Sequence, residues 1–260
     1  MATAEQYLAA YDDQLRGDAE TSSALAVERL GPLRLVHHAG RGFISYRDLG
    51  GAEAAAVEEL VERALAHYRA DPSIARVEWK TRGHDRAPGL HTALVRNGFE
   101  PGEPESIMIG EARLLAVEVA LPAGVELRQI TSEADVRAMA EMQDEVFGEP
   151  IADEVAESML RRLKTGTELW VAEAEGQIVC AGRLQPVEGT EFAGIWGGAT
   201  RPEWRRRGIY RALTAARARS ALRLGKRLIH SDSTELSRPI LERSGLVKVS
   251  TTTPYLWRRS

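Results

Sequence analysis

Residues 198–211 combine glycines and arginines in the run Gly198-Ala199-Thr200-Arg201-Pro202-Glu203-Trp204-Arg205-Arg206-Arg207-Gly208-Ile209-Tyr210-Arg211. It connects an apolar, glycine-rich run, 192–199, to a segment with helical character, 207–224. A strand that passes through an arginine- and glycine-rich turn into a helix leaves the first N–H groups of that helix without intrahelical partners. Those donors, the helix dipole and the arginines together predict a site for a phosphate-bearing ligand.

Composition places the chain among globular proteins and excludes several classes. Its 260 residues are 43% hydrophobic and 28% charged, which suits one large domain or two ordinary ones. The net charge of -4 argues against a nucleic-acid partner. The single cysteine, Cys180, lies in an apolar strand-like run and suits a reducing compartment. With neither a signal-peptide pattern nor a membrane-spanning apolar stretch, we expect a cytoplasmic protein without a membrane partner.

The residue pattern predicts two similar series of helices and strands. In the first half we expect helices at 4–16, 52–70 and 89–97 and strands at 33–38, 43–47, 75–79 and 106–109. In the second half we expect helices from 133, at 153–164, from 207 and at 236–244, and strands at 125–130, 168–173, 177–184, 191–199, 227–232 and 247–257. Pro122 and Gly124, which interrupt regular secondary structure, mark the boundary between the two series.

An internal sequence repeat supports two related domains. A helix, a glycine and a strand recur, and the spacing from Gly98 to Met108 equals that from Gly245 to Tyr255. The predicted fold class is α/β or α+β, with a mixed, mostly antiparallel sheet in each of two domains, 1–122 and 123–260.

The second half resembles the GNAT (Gcn5-related) acyl-CoA N-acyltransferase superfamily over residues 125–257. Arg205-Arg206-Arg207-Gly208-Ile209-Tyr210 resembles the family signature Arg/Gln-x-x-Gly-x-Gly/Ala, except that Tyr210 stands at a small-residue position. The later run Ser237-Arg238-Pro239-Ile240-Leu241-Glu242-Arg243-Ser244-Gly245-Leu246 resembles the second motif of the family.

The resemblance implies acetyl-CoA as co-substrate and a set of residues that bind it. Gly208 lets the backbone approach a pyrophosphate, and successive amides of the turn can each donate to it. Gly197-Gly198 would be where the strand bulges to admit the pantetheine arm. The implied cofactor-binding residues are Gly198, Ala199, Thr200, Arg205, Arg206, Arg207, Gly208, Ile209, Tyr210, Arg211 and Ser237. A solvated helix face and a nucleic-acid patch remain alternative interpretations of the arginines.

The acid and base are harder to place. Many family members use a glutamate in the central strand and a tyrosine on the short helix that follows, but 195–200 contains no carboxylate and Leu241 occupies the tyrosine position. The remaining candidates are Glu191, Asp232, Ser233 and Tyr255, or an ordered water, with turn, cap and core roles as alternatives. Trp196 is either a wall of the acceptor cleft or a packing residue.

No metal site is predicted. The histidines at positions 37, 38, 84 and 91 lack carboxylate or cysteine partners at ligand spacing.

The first half resembles a GNAT domain that has lost its cofactor loop. At the corresponding position, 47–53, the carboxylates of Asp48 and Glu53 would repel phosphate. We therefore expect an acyl-CoA-dependent N-acyltransferase that transfers acetyl from acetyl-CoA to the amine of a small molecule or peptide by direct attack. A non-catalytic acyl-CoA sensor or interaction module is the alternative, and the assembly is expected to be a monomer or homodimer.

Overall fold

Contacts between residues divide the chain into two compact units. The computed structural model describes residues 2–21, 24–148 and 150–259. The first unit contains Met1–Met108, Asp232–Ile240 and Lys248–Ser260, and the second contains Ile109–Ser231 and Leu241–Val247. Each unit is thus discontinuous in sequence. The division into domains at 122/123 stays a prediction.

Helices and strands follow one another along the whole chain. Up to residue 111 they are α1 (Ala4–Gln14), β1 (Ala26–Leu30), β2 (Leu33–His38), β3 (Arg41–Tyr46), α2 (Ala54–Ala70), β4 (Arg76–Arg82), α3 (Leu90–Arg96), β5 (Glu100–Pro101) and β6 (Glu105–Glu111). Thereafter they are α4 (Ala112–Leu115), β7 (Val125–Ile130), α5 (Glu133–Phe147), α6 (Ala152–Leu163), β8 (Glu168–Ala174), β9 (Gln177–Pro186), β10 (Phe192–Thr200), α7 (Ile209–Arg223), β11 (Leu228–Ser233), α8 (Arg238–Arg243) and β12 (Val247–Arg258). Among the described residues, no helix combines the length and apolarity that a bilayer crossing requires.

The first unit is built on strands in the order β1–β2–β3–β4–β12. The β3–β4 pair is parallel, and the other pairs are antiparallel. β12 adds to β4 from Thr252, opposite Arg82, to Arg258, opposite Arg76. Its apolar core joins α2 and α3 to these strands and centres on the fully buried Trp79.

The second unit has strands in the order β11–β10–β9–β8–β7, of which only β10 and β11 pair in parallel. The helices α5 and α6 share a core with Ala181 of β9, whereas α7 shares one with Cys180. Successive residues of a strand point to opposite faces, so α7 covers one face of the sheet and the α5–α6 pair covers the other.

The predicted fold class is confirmed, because both units are mixed, mostly antiparallel sheets flanked by helices. The sequence pattern missed β1, β5 and α4. The first four residues of β1 are exposed, so the strand shows none of the apolar alternation from which strands are recognised. β5 and α4 have two and four residues, too few for a period to appear.

Candidate active site

The central strand of the second unit carries a bulge where the sequence predicted one. Trp196 lies opposite Arg183 and Ala199 opposite Ala181, so β10 contains one residue more than β9 over this interval. Gly197 has φ +60 in the bulge. Its carbonyl accepts a hydrogen bond of 2.6 Å from the Nε2 amide of Gln143 on α5. The strand is therefore bent and held in that shape three residues before its end.

The turn between β10 and α7 directs backbone amides outward. Arg206 and Gly208 both have left-handed backbones, with φ +62 and +80. The first hydrogen bond of α7 runs from the N–H of Ala212 to the carbonyl of Gly208. The amides of residues 209–211 therefore precede the helical ladder and point out of the helix N-terminus. Together with the left-handed residues before them, they form a concave cluster of donors that suits an anion.

Cationic side chains surround this turn. Arg205, Arg206, Arg207 and Arg211 are all exposed, and none has an ion-pair partner among residues 2–21, 24–148 and 150–259. The Nε group of Arg205 donates to the carbonyl of Thr200 at 3.0 Å, and the guanidinium of Arg207 lies 4.8 Å above the ring of Trp204. These contacts leave the positive charges available to a phosphate-bearing ligand. The residues of the turn therefore fit the pyrophosphate of acetyl-CoA, the co-substrate that the sequence resemblance implied.

Tyr210 modifies the same turn. A Cβ atom at Gly198 would lie 2.6 Å from the tyrosine ring and 2.9 Å from its hydroxyl, so the ring packs directly against the strand end. Gly198 itself remains exposed. The aromatic residue at the family's small-residue position is thus accommodated by the glycine, and it covers one side of the strand edge.

The backbone pairing between β10 and β11 ends early, and we call the region beyond its last pair the cleft. The strands pair at Phe192 with Leu228, at Ala193 with Ile229 and at Gly194 with His230. Both strands continue past the last of these pairs. One side-chain bond, from Ser231 Oγ to the carbonyl of Ile195 at 2.9 Å, spans the point at which the ladder ends within the described chain.

His230 stands at the apex of this cleft and was missed by sequence reasoning. Its ring packs edge-on against those of Trp196 and Phe192, with centroids 5.1 and 5.8 Å away, and it is 8% exposed. Trp196 bends back over Gly194, where a Cβ would meet the indole nitrogen at 2.3 Å. A histidine within the predicted strand 227–232 was the available signal, but the sequence alone does not place it opposite Gly194.

Three of the catalytic candidates, Glu191, Asp232 and Tyr255, lie in different parts of the chain. Glu191 precedes β10 and pairs with Arg227, whereas the turn follows the far end of this nine-residue strand, about 30 Å along it. Asp232 and Tyr255 belong to the first unit. Asp232 accepts from Lys80 Nζ at 2.6 Å, and the Tyr255 hydroxyl lies 2.7 Å from His91 Nδ1. Their catalytic roles stay predictions.

Ser237 also belongs to the first unit, where its Oγ donates to the carbonyl of Thr234 at 3.3 Å just before α8. The other ten residues of the predicted cofactor site lie together at the β10–α7 junction. Their binding of acetyl-CoA stays a prediction.

Cys180 is a buried structural residue. Its Sγ lies 3.1 Å from Thr200 Oγ1, and burial raises the pKa of the thiol to about 11. The thiolate, which is the nucleophilic form, is therefore scarce at neutral pH.

The turn of the first unit that corresponds to the phosphate-binding one is occupied by its own acid. The carboxylate of Asp48 accepts the N–H of Gly50 at 2.8 Å. Glu53 precedes α2 without a capping hydrogen bond and pairs with Arg86 at 3.1 Å. The internal carboxylate takes a donor that an anionic ligand would need, in agreement with a degenerate site.

A cluster of possible metal ligands forms on the first unit through tertiary contacts. Glu28 Oε1, His37 Nε2 and His67 Nε2 lie within 4.8 Å of one another, and the two histidine nitrogens are 2.9 Å apart. Local spacing concealed this group because β1, β2 and α2 each contribute one residue. The expectation that no metal is bound stays a prediction.

Parallel strands whose pairing ends early, followed by an arginine–glycine turn and a helix with free amides, are features of the GNAT fold. Residues 136–243 match the sequence profile of the acetyltransferase (GNAT) family. The chain thus carries a GNAT-family domain, which includes the bulge, the cleft and the turn. The GNAT fold family uses acetyl-CoA as its co-substrate. A comparison with curated protein sequences gives no significant match.

Solved structures share the fold over nearly the whole chain. A GCN5-related N-acetyltransferase from Kribbella flavida has a TM-score of 0.69 at 17% identity, covering 100% of this chain and 97% of its own. A functionally unknown conserved protein from Staphylococcus epidermidis has a TM-score of 0.65 at 13% identity, with coverages of 96% and 98%. A tandem GNAT protein from the clavulanic acid biosynthesis pathway has a TM-score of 0.62 at 15% identity, with coverages of 99% and 97%. The tandem fold predicted from the sequence is therefore confirmed.

Proposed function

We propose that the protein is an N-acetyltransferase that transfers acetyl from acetyl-CoA to the amine of a small molecule or peptide. The observation that carries the proposal is the β10–α7 turn, where amides outside the helical ladder meet four exposed, unpaired arginines. Such donors bind phosphate groups at helix N-termini. Within this second unit, the same strand that ends in the turn also forms the cleft beside β11.

The residues of the turn would hold the pyrophosphate, and the bulged end of β10 would hold the pantetheine arm. Bound acetyl-CoA supplies an activated thioester, so the protein has to orient the acceptor amine and remove its proton. In the overall reaction the acetyl group passes to the amine nitrogen, the amine loses one proton, and CoA leaves as the thiol. Orientation alone contributes a large share of such a rate enhancement.

We further propose His230 as the group that receives the proton of the acceptor. It is the titratable side chain at the apex of the cleft, and the aromatic rings of Trp196 and Phe192 hold it in place. Imidazole titrates near neutral pH, which suits a general base. Replacement His230→Gln should lower kcat at least tenfold, a modest loss for a general base, and leave the Kd for acetyl-CoA unchanged. A wild-type kcat and pH profile in this variant would reject the assignment.

Calorimetry with acetyl-CoA tests the binding site. Gly208→Trp should lower the affinity at least tenfold, because its side chain would stand where the amides converge. Gly189→Trp is the matched control: Gly189 also has a left-handed backbone, φ +70, with no neighbour within 4 Å of a Cβ. The control should bind acetyl-CoA normally. Equal affinities in both variants would show that the turn is not the site.

A non-catalytic acyl-CoA sensor is the second candidate. It is favoured by the lack of a carboxylate in 195–200 and by Leu241, which is 1% exposed where the family tyrosine would stand. Thiol release from acetyl-CoA, measured over a broad panel of amines, separates the two functions. Binding without thiol release on any amine favours the sensor. A duplex DNA titration tests the expected lack of nucleic-acid binding, and size-exclusion chromatography tests the expected monomer or homodimer.

A further inference from the structure

Arg183 occupies a special position on β9. It lies opposite Trp196, directly beside the bulge of β10. A Cβ at Gly197 would lie 3.2 Å from the guanidinium Nη1 of Arg183 and 3.0 Å from the amide Nε2 of Gln143. Two hydrogen-bond donors, one of them cationic, therefore press against the bulge from the face of the sheet that α5 and α6 cover.

Among the residues that the structure describes, the guanidinium of Arg183 has no counter-ion. Within the described ranges, neither a hydrogen bond nor an ion pair involves it, and its Nε is enclosed without an acceptor. Burial first, then the positive charges of Arg162 and Arg217, lowers the pKa of Arg183 to about 10. The residue as a whole is half-buried, and a partly desolvated charge without a partner is unfavourable for the folded state.

Several other arginines of the second unit have acceptors within the chain. Arg128 bridges Asp135 at 2.7 Å and Glu173 at 2.8 Å, and the fully buried Arg217 donates to the Arg183 carbonyl at 3.2 Å and to the Thr214 hydroxyl at 3.1 Å. Among the described residues, the guanidinium of Arg183 has neither a carboxylate nor a neutral acceptor.

We propose that Arg183 binds a carboxylate of the acceptor, so that the acceptor class is amines that also carry a carboxylate, such as amino acids or short peptides. The planar fork of a guanidinium matches a carboxylate with two parallel hydrogen bonds. Gln143, which already donates one amide hydrogen to Gly197, has a second to offer.

The position on the sheet argues for the acceptor rather than for the phosphates of the donor. Arg183 faces α5 and α6, whereas the phosphate-binding turn opens α7 on the opposite face. Trp196 lies between Arg183 on one neighbouring strand and His230 on the other. A carboxylate on Arg183 would thus place the rest of a small acceptor along the indole toward the apex of the cleft. This inference rests on the proposed acetyl transfer.

The first experiment measures stability and needs no knowledge of the acceptor. In the absence of ligand, Arg183→Met should melt at the same temperature as the wild type or a few degrees higher, because it removes an unpaired charge. Arg128→Met, which breaks two ion pairs, is the matched comparison and should melt lower. If Arg183→Met is destabilised as much as Arg128→Met, then Arg183 is a structural residue and the proposal fails.

The second experiment compares matched acceptors at saturating acetyl-CoA. The twenty common L-amino acids and their carboxamides are assayed for thiol release, and we expect at least one acid to exceed its amide tenfold or more in kcat/KM. Arg183→Met should remove that preference by lowering kcat/KM for the acid alone, and Arg183→Lys should restore part of it. A preference for amides, or an equal loss on acid and amide, would overturn the proposal.

Calorimetry with acetyl-CoA separates this proposal from the proposed function. Arg183→Met should bind acetyl-CoA with wild-type affinity, while Gly208→Trp should not. A tenfold loss in Arg183→Met would identify the anion as a phosphate of CoA and refute the acceptor site. Wild-type binding without thiol release on any amine of the broad panel would remove both the acetyltransferase function and this inference, whereas thiol release confined to amines without a carboxylate would remove only the inference.

Discussion

The contact between Gly198 and Tyr210 can be tested by a double-mutant cycle. The φ of Gly198 is outside the left-handed region, so alanine is permitted by the backbone, but its Cβ would lie 2.6 Å from the tyrosine ring. Ordinary contact requires about 3.4 Å or more, so the half-buried ring has to move. Overpacking of this kind costs about 1–2 kcal/mol. We expect Gly198→Ala to lower the free energy of unfolding by that amount in the wild type and by a few tenths in a Tyr210→Ala background.

Urea denaturation followed by tryptophan fluorescence measures the four free energies of the cycle. Gly197→Ala is the control, because its Cβ would meet Gln143 and Arg183 rather than Tyr210, and its φ of +60 is unfavourable for alanine in either background. Its cost should therefore be the same with and without the tyrosine. If the effects of Gly198→Ala and Tyr210→Ala add within about 0.5 kcal/mol, the ring does not pack against the strand end as described.

Three further predictions concern titration, reactivity and metal. Hydrogen bonds from Arg128, and then from Ser132, lower the pKa of Asp135 to about 2. The ionised carboxylate therefore stabilises the folded state above the normal carboxyl pKa, and this contribution is lost as pH falls from about 4 to 2. The difference in free energy of unfolding between wild type and Asp135→Asn should shrink over that range. With its pKa raised to about 11 by burial, Cys180 should resist a thiol reagent at pH 8 in the native protein and react once urea unfolds it; fast native labelling would contradict this burial. We expect calorimetry to give the same result with Zn²⁺ for the wild type and for His67→Ala, because no metal is predicted to bind at this cluster. Zn²⁺ binding by the wild type that is lost in His67→Ala would contradict the prediction and identify a metal site at Glu28, His37 and His67.

Much of the fold could be predicted because buried residues recur at the spacing of a helix or a strand, and because glycines follow several of the helices. The predicted strands 33–38 and 125–130 match β2 and β7, and Gly98 and Gly245 have left-handed backbones after α3 and α8. The exposed strand β1 was not predicted, because an edge strand does not need an apolar face and so shows no alternation of apolar and polar residues. Local order along the sequence is thus readable wherever burial imposes a period.

The site was predictable only in its local part. The β10–α7 turn is contiguous in sequence, so its glycine and arginines could be recognised together. His230 and Arg183 lie beside Trp196 because β9, β10 and β11 are neighbours in the sheet. The spacing of these residues along the chain does not predict that they are close together. Glu191 is near the site in sequence, but it precedes β10 and so lies at the opposite end of that strand from the turn.

The pairing of β4 with β12 has a consequence for synthesis of the chain. Arg82 and its partner Thr252 are about 170 positions apart, so β12 is synthesised long after β4. At about 5–20 residues per second, the edge of β4 waits roughly 10–30 s for its neighbour. During that time, an unpaired strand edge is open to aggregation. A nascent first unit cannot complete its sheet early, so ribosome-bound chaperones have this edge to protect, and a circular permutant that begins at β12 should fold with less aggregation.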